Sequence, residues 1–250
     1  MEASTAAPDE GEVHVWWLSL VPEPRGVERE AEPLSPEERG RAARFRFARD
    51  RDRFVLGRSF LRTLLGTYTG EDPGRVRLEA TEAGKPFLAG GAGVHFNLSH
   101  CEDFGVLAVA NRPVGVDLER VREVADAEAI AVRMFGDGEV EALRGYSAAE
   151  RSAAFLRCWT RKEAFVKGKG VGLLTPLRSF EVSLDRTAGP MLLSCEAADG
   201  RWSLQDLEAP EAWVGALAIE RGPVRLVHRR WPSHDRGTDA RIAAPPRGPL

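Results

Sequence analysis

Apolar and polar positions alternate in short blocks along this chain, and the period switches between that of strands and that of helices. Residues 12–18 begin with alternation and carry valine and tryptophan, which predicts a strand. Ser35-Pro36-Glu37-Glu38 reads as a helix start, with Ser35 at the N-cap, proline in the first turn and Glu38 closing a capping box. Helical spacing runs on to about Tyr68, with a break near Ala48. Asp72-Pro73-Gly74 is a turn. Short strands are predicted at 76–80, 94–97 and 104–110, and Asn111-Arg112-Pro113 turns the chain into another at 114–119. The second half repeats the rhythm. A helix is predicted within 125–135 and a long one from about Ser147 to Lys169, with Ser147 and Glu150 as a second capping box. Strands follow near 180–184, 202–207, 213–220 and 224–228. Residues 231–250 are rich in Pro, Gly, Arg and Asp and are expected to be disordered.

Residues 104–118 line up with residues 214–228: Gly, Leu, Ala, Pro and Val coincide, and both stretches read as hairpins with a turn before the proline. Two similar hairpins arising by chance is the alternative. A true repeat makes the chain an α+β protein of two similar α+β subdomains related by a pseudo-two-fold, covering 1–110 and 111–230, with 231–250 as a tail. Val227 then stands where the first copy has Asp117, so chemistry at Asp117 is expected once per chain, at the junction of the halves.

Composition narrows the class. A chain of 250 residues that is 43% hydrophobic can bury one large core or two smaller ones. No apolar run reaches the roughly 18 residues that span a bilayer. The acidic start at residues 1–11 has neither the basic nor the apolar part of a signal peptide, so a cytoplasmic protein with no membrane partner is expected. Three scattered cysteines (Cys101, Cys158 and Cys195) argue against a zinc site or a disulfide framework. A net charge of −3 gives no global drive toward nucleic acid. Locally, however, eight arginines between Arg41 and Arg62 face only Asp50 and Asp52. Such a run is either a solvated helical face or a dock for a phosphorylated ligand or acidic protein.

The chemistry-bearing candidates fall in three places. Asp117-Leu118-Glu119 ends an apolar strand, where alternation puts both carboxylates on one side. Alone, such a pair more often marks a solvated strand end; the functional reading is an oxygen site for Mg²⁺, which takes its remaining ligands from water and phosphate. On the predicted long helix, Phe155, Cys158, Trp159, Phe165 and Val166 form an apolar stripe, with Glu163 and Lys167 one turn apart at its edge. That pair is either a surface ion pair or part of a site. Lys162 falls within the stripe, where a lysine needs a partner or a site to face. Gly168, Gly170 and Gly172 loosen the chain just beyond, where a phosphate could approach the backbone. Finally, Ser99 and His100 follow a strand, either serving a phosphate or a proton transfer or simply satisfying a turn. A His100–Cys101 nucleophile pair is not indicated, because adjacent side chains do not converge and no third group is evident.

Together, Asn97-Leu98-Ser99-His100, then Gly115-Val116-Asp117-Leu118-Glu119, then Trp159-Thr160-Arg161-Lys162-Glu163-Ala164-Phe165-Val166-Lys167 resemble the phosphopantetheinyl transferase superfamily, specifically its large, pseudo-dimeric, surfactin-synthetase-activating type. The resemblance runs from about Val13 to His228. It implies an Mg-dependent holo-[carrier-protein] synthase that moves the 4′-phosphopantetheine arm of coenzyme A to a serine of an apo acyl or peptidyl carrier protein and releases adenosine 3′,5′-bisphosphate. It implies Mg²⁺, or Mn²⁺, held by Asp117, Glu119 and Glu163, with Lys167 on the phosphate. Ser99 and His100 would bind the nucleotide end or its phosphates. Lys85, in Gly84-Lys85-Pro86, would line the coenzyme A site, with Asp117 and Lys162 also on the cofactor side. Arg41, Arg44 and Arg53 would hold the 3′-phosphate, and Glu139 matches a further acidic position. The catalytic set is then Glu163, Lys167 and His100, with Glu163 the first choice of general base, in a monomer. Two rivals remain. Another Mg²⁺-dependent phosphoryl transferase would need a P-loop or kinase-type glycine loop, and neither occurs. A non-catalytic binder of acidic partners would make the three carboxylates incidental.

Overall fold

The computed structural model describes residues 7–24, 26–91, 93–172, 175–184, 189–195 and 201–231. In chain order the elements are β1 (Glu12–Ser19), α1 (Pro36–Ala42), α2 (Ala48–Thr69), β2 (Leu78–Ala80), β3 (Pro86–Leu88), β4 (His95–Cys101), β5 (Phe104–Ala110), β6 (Val114–Arg120), α3 (Ala127–Met134), α4 (Asp137–Arg144), α5 (Ala148–Lys169), β7 (Phe180–Val182), β8 (Leu192–Cys195), β9 (Trp202–Asp206), β10 (Trp213–Glu220) and β11 (Arg225–Arg230). The capping box at α1 forms as predicted: Glu38 N donates to Ser35 Oγ at 3.2 Å and Ser35 N to Glu38 Oε2 at 2.9 Å. At α5 it does not. The Ser147 hydroxyl donates to Glu150 Oε2 at 2.8 Å and caps no backbone N–H. The short elements β3, α4 and β8 carry too little periodicity to be read; α4 begins Gly-Asp-Gly, which mimics a turn.

The main sheets are antiparallel apart from one pair. The first has the order β11-β1-β5-β4, with β11 parallel to β1; the second has the order β6-β10-β9. Neither predicted hairpin forms. β5 pairs with β1 and β4, β6 pairs with β10, and the Asn111-Arg112-Pro113 corner carries the chain from one sheet to the other. The corner after β10 does the same in reverse. It delivers β11 to the first sheet, so residues 225–230, expected in the C-terminal half, complete the N-terminal one. Trp231, expected in a disordered tail, packs on Trp16 and Phe60 at 6.4 and 5.3 Å between ring centroids; the rest of that tail lies outside the described residues.

The pseudo-two-fold lies in order and pairing rather than in the aligned stretch. β1-α2-β4-β5 and β6-α5-β9-β10 have the same succession and the same strand neighbours. The alignment of 104–118 with 214–228 is out of face by one residue. Leu107 points to the helix side of its sheet, while the matched Leu217 points between the sheets. A one-residue slip inverts every side chain, so Val227, which lies opposite His14 in the first sheet, is not the counterpart of Asp117. Four layers result. The β1, β5, β6 and β10 faces carrying Val15, Val106, Val116 and Leu217 bury each other. α2 covers the outer face of the first sheet with Leu61, Leu64 and Leu65, and α5 that of the second with Phe155, Phe165 and Val166. Two edge strands, β4 and β6, meet at the junction.

Candidate active site

β6 is an edge strand. Its odd residues bond to β10, which leaves the backbone groups of Val114 and Val116 facing outward. Side chains of the N-terminal half take the place of the missing strand. The Val116 N–H donates to Asn97 Oδ1 of β4 at 2.8 Å, and Lys85 Nζ donates to Val114 O at 3.0 Å. The sequence reading assigns Asn97 no role; its place at the head of Asn97-Leu98-Ser99-His100 is the signal that points to it, and the structure buries it. With β6 fixed in this way, alternation points Gly115, Asp117 and Glu119 toward α5. Gly115 lets the two elements touch, because a Cβ there would overlap the carbonyl of Ala164 and the amide of Gly168.

Asp117 is 5% exposed. Its Oδ1 accepts from Lys167 Nζ at 2.5 Å and from the Ser99 hydroxyl at 2.9 Å, and Lys167 also donates to Ser99 Oγ at 3.2 Å. Its Oδ2 is buried without a partner. Burial pushes the Asp117 carboxyl above its usual range; Lys167 and Ser99 pull it part of the way back, and Glu119 adds to the rise. Glu163 is likewise raised, first by burial and then by Asp117, against the pull of Lys167, with a smaller rise from Glu119. Glu119 accepts from Arg122 at 3.0 Å and from the Cys101 thiol at 3.6 Å. His100 is held below its ordinary value by burial and by the cations Lys167 and Arg53, so its imidazole is neutral at neutral pH. Two strands and one helix thus bring Ser99, His100, Asp117, Glu119, Glu163 and Lys167 into one electrostatic cluster.

One expectation is changed. Lys162 does not face this cluster. Its side chain is fully buried, with Nζ 2.6 Å from both Glu139 oxygens and from Phe180 O, and it lies over the Phe180 ring. One residue off Glu163 on a helix is a turn of about 100°, which carries Lys162 to the core side. Lys85 holds main-chain carbonyls, Val114 O and Gly168 O, at 3.0 and 2.8 Å. The glycines after α5 lie against the β2–β3 turn: a Cβ on Gly170 would lie 3.2 Å from Lys85 Cδ, and one on Gly172 3.0 Å from Ala83 Cβ. Of the arginines, Arg53 is engaged by Asp103 through Nε and Nη2 at 2.8 and 2.6 Å, Arg41 stacks over Phe54, and Arg44 is exposed.

The donor set suits a hard cation that keeps much of its shell for water and substrate. It is all carboxylate oxygen, one buried oxygen is orphaned, and Asp117 and Glu163 are both raised, first by burial and then by neighbouring carboxylates. It is not a closed cage, because Asp117 turns to Lys167 and Glu119 to Arg122. No group of three or more His, Cys, Asp or Glu among the described residues is gathered to hold a metal ion.

Family models match nearly all of this framework. Residues 20–112 match "4′-phosphopantetheinyl transferase, N-terminal", and residues 113–218 match the 4′-phosphopantetheinyl transferase superfamily. The chain belongs to that superfamily. The 4′-phosphopantetheinyl transferase HetI of Nostoc sp. is 37% identical over 212 residues, 83% of this chain and 87% of that one. Sfp of Bacillus subtilis is 32% identical over 151 residues, 60% of this chain and 66% of its own. The L-aminoadipate-semialdehyde dehydrogenase-phosphopantetheinyl transferase of Xenopus laevis is 34% identical over 164 residues, 60% and 54%. With both halves matched, the chain is of the large, Sfp-like type.

Proposed function

We propose that the cluster at the β4–β6–α5 junction transfers the 4′-phosphopantetheine arm of coenzyme A to a serine hydroxyl of an apo acyl or peptidyl carrier protein, releasing adenosine 3′,5′-bisphosphate. The observation that carries this is the buried Asp117–Lys167–Ser99 triangle beside Glu163: cationic and hydroxyl donors for phosphate, next to carboxyls raised toward neutral pH. Lys167 would donate to a pyrophosphate oxygen and stabilise charge developing on it. Glu163 accepts the serine proton as the serine oxygen bonds to the β-phosphorus and the bond to the bisphosphate leaving group breaks. His100, neutral and next to Lys167, is the second candidate base. Asp117, Glu119 and Glu163 are the residues that would hold Mg²⁺, or Mn²⁺, which when bound supplies charge neutralisation on the phosphates. Arg41, Arg44 and Arg53 supply a cationic field for the 3′-phosphate, with Arg53 exchanging Asp103 for it.

The chain supplies both sides of its own junction, which supports action as a monomer. We read the enzyme as cytoplasmic, with neither membrane nor nucleic acid as a partner; no helix among the described residues is long and apolar enough to cross a membrane. The test is mass spectrometry of a panel of apo carriers incubated with coenzyme A and Mg²⁺. The expected result is the mass gain of one phosphopantetheine arm on at least one carrier, lost on chelation. No gain on any carrier overturns the reading.

A further inference from the structure

The β4–β5 hairpin closes in the two-residue turn Glu102-Asp103, where Cys101 pairs with Phe104 and Glu102 takes a left-handed φ of 49°. The segment after β1 ties this turn down, because Leu20 N donates to Asp103 O at 2.8 Å. That bond uses only the main chain and leaves the Asp103 carboxylate free for another task. The carboxylate reaches the start of α2. Its Oδ1 accepts from Nε and Nη2 of Arg53 at 2.8 and 2.6 Å, and its Oδ2 lies 3.8 Å from Arg49 Nη2. The Arg53 side chain is 17% exposed and that of Asp103 48%, so the carboxylate is the outer member of the pair. His100, on the same hairpin, lies in the fields of both Arg53 and Lys167. Cations therefore run from the Asp117 cluster past His100 to α2, and Asp103 is the anion set at their outer end.

We infer that Asp103 is an internal competitor of the 3′-phosphate: its carboxylate occupies Arg53, with Arg49 beside it, and must yield to the phosphate when coenzyme A binds. A partly exposed ion pair holds weakly, so the exchange is within reach of a ligand. A phosphate monoester carries nearly two negative charges and three acceptor oxygens at neutral pH, and it fits a guanidinium fork better than the single oxygen that Arg53 now holds. The ligand gains only the difference between the two partners, and a displaced carboxylate left nearby repels it. Asp103 therefore weakens the hold on coenzyme A and on the bisphosphate product, which share the 3′-phosphate. A ligand that lacks this phosphate has nothing to exchange.

The inference rests on the reading that Arg53 faces the 3′-phosphate, and the test separates the two. Calorimetric Kd values for coenzyme A, 3′-dephospho-coenzyme A and adenosine 3′,5′-bisphosphate are measured at one ionic strength on the unaltered chain, Asp103→Asn and Arg53→Ala. Asp103→Asn keeps the shape of the side chain and removes its charge. It should tighten coenzyme A and the bisphosphate by about three- to tenfold, with 3′-dephospho-coenzyme A within about twofold of the parent. A Kd for coenzyme A that is unchanged or rises in Asp103→Asn overturns the inference, a rise making Asp103 a scaffold for Arg53. An equal tightening of 3′-dephospho-coenzyme A also overturns it, because the effect is then one of general charge. If Asp103→Asn does not fold, Asp103→Ser is judged by the same three values. Arg53→Ala tests the reading underneath and should weaken coenzyme A by about tenfold or more. No loss there removes Arg53 from the phosphate site and takes the inference with it. A full loss beside an unchanged Asp103→Asn strikes the inference alone.

Discussion

The two halves are built alike and furnished differently. α2 and α5 each have 22 residues, each ends in a left-handed glycine (Gly70 and Gly170), and each carries a buried cation at the same place, Arg62 and Lys162. In both halves that cation reaches the glutamate three residues into the first turn of the preceding short helix, Glu38 or Glu139, which also accepts from the N-cap backbone. Both then bond a carbonyl at or next to a following strand, Val76 O or Phe180 O. The symmetry identifies Lys162–Glu139 as a strut of the half rather than part of the chemistry. The helix-facing residues of the first strands differ: His14, Trp16 and Leu18 on β1, but Gly115, Asp117 and Glu119 on β6. On the helices, Thr63 and Thr67 stand where Glu163 and Lys167 do. A repeat that duplicates the struts and not the carboxylates has one active site.

The largest effect should fall on the strut. Lys162→Met leaves Glu139 buried and charged without its cation and should destabilise the chain by about 3–5 kcal/mol in urea unfolding. Arg62→Met should lose less, because Glu38 is 14% exposed and stays partly solvated. A Lys162→Met loss under about 1 kcal/mol would mean that the matched pairs are coincidence. Next in size is the site. Asp117→Ala and Glu163→Gln should each lower the transfer rate by about 10²–10³-fold, near 3–4 kcal/mol, with the melting temperature preserved. The counterparts Thr63→Ala and Thr67→Ala should stay within about 0.5 kcal/mol of the parent rate. Comparable losses in both halves would refute a one-sided site.

What could be read from the chain follows the same division. The long elements were legible because period and caps agree: 213–220 is the strand predicted, and Ser35 with Glu38 starts the helix predicted. The motif residues Ser99, Asp117, Glu163 and Lys167 do meet. Pairing was not legible. Apolar runs around a proline look alike whether they fold back as a hairpin or turn a corner into another sheet, so both corners were read as hairpins, and the internal alignment slipped by one face. The destinations of lysines were also hidden. Lys162 and Glu163 are adjacent in sequence, yet one enters the core and the other the site. The partner of Lys162 lies 23 residues away, on a helix too short to predict. Lys85 is bound by carbonyls, which carry no sequence signal at all.

The smallest effect tests whether the two strand faces respond oppositely to acid. In the N-terminal half His14 is 3% exposed, bonded at Nδ1 to the Tyr68 hydroxyl at 2.6 Å, and lowered from 6.5 to about 4 by burial and by Arg229. Between those values the unfolded chain binds a proton that the folded chain refuses. Stability therefore falls as pH drops from 6.5 toward 4, by up to about 3 kcal/mol. In the C-terminal half Asp117 is raised above 3.8 by burial, so there the folded chain binds the proton first, and this group adds stability as pH falls through its raised value. Urea midpoints measured from pH 7 to 4 in chelator should therefore show a flatter acid loss for His14→Gln and a steeper one for Asp117→Asn. Slopes that change in the same direction in both variants would show that the buried groups on the two faces do not titrate as their environments require, and the contrast between an aromatic and an acidic face would lose its electrostatic basis.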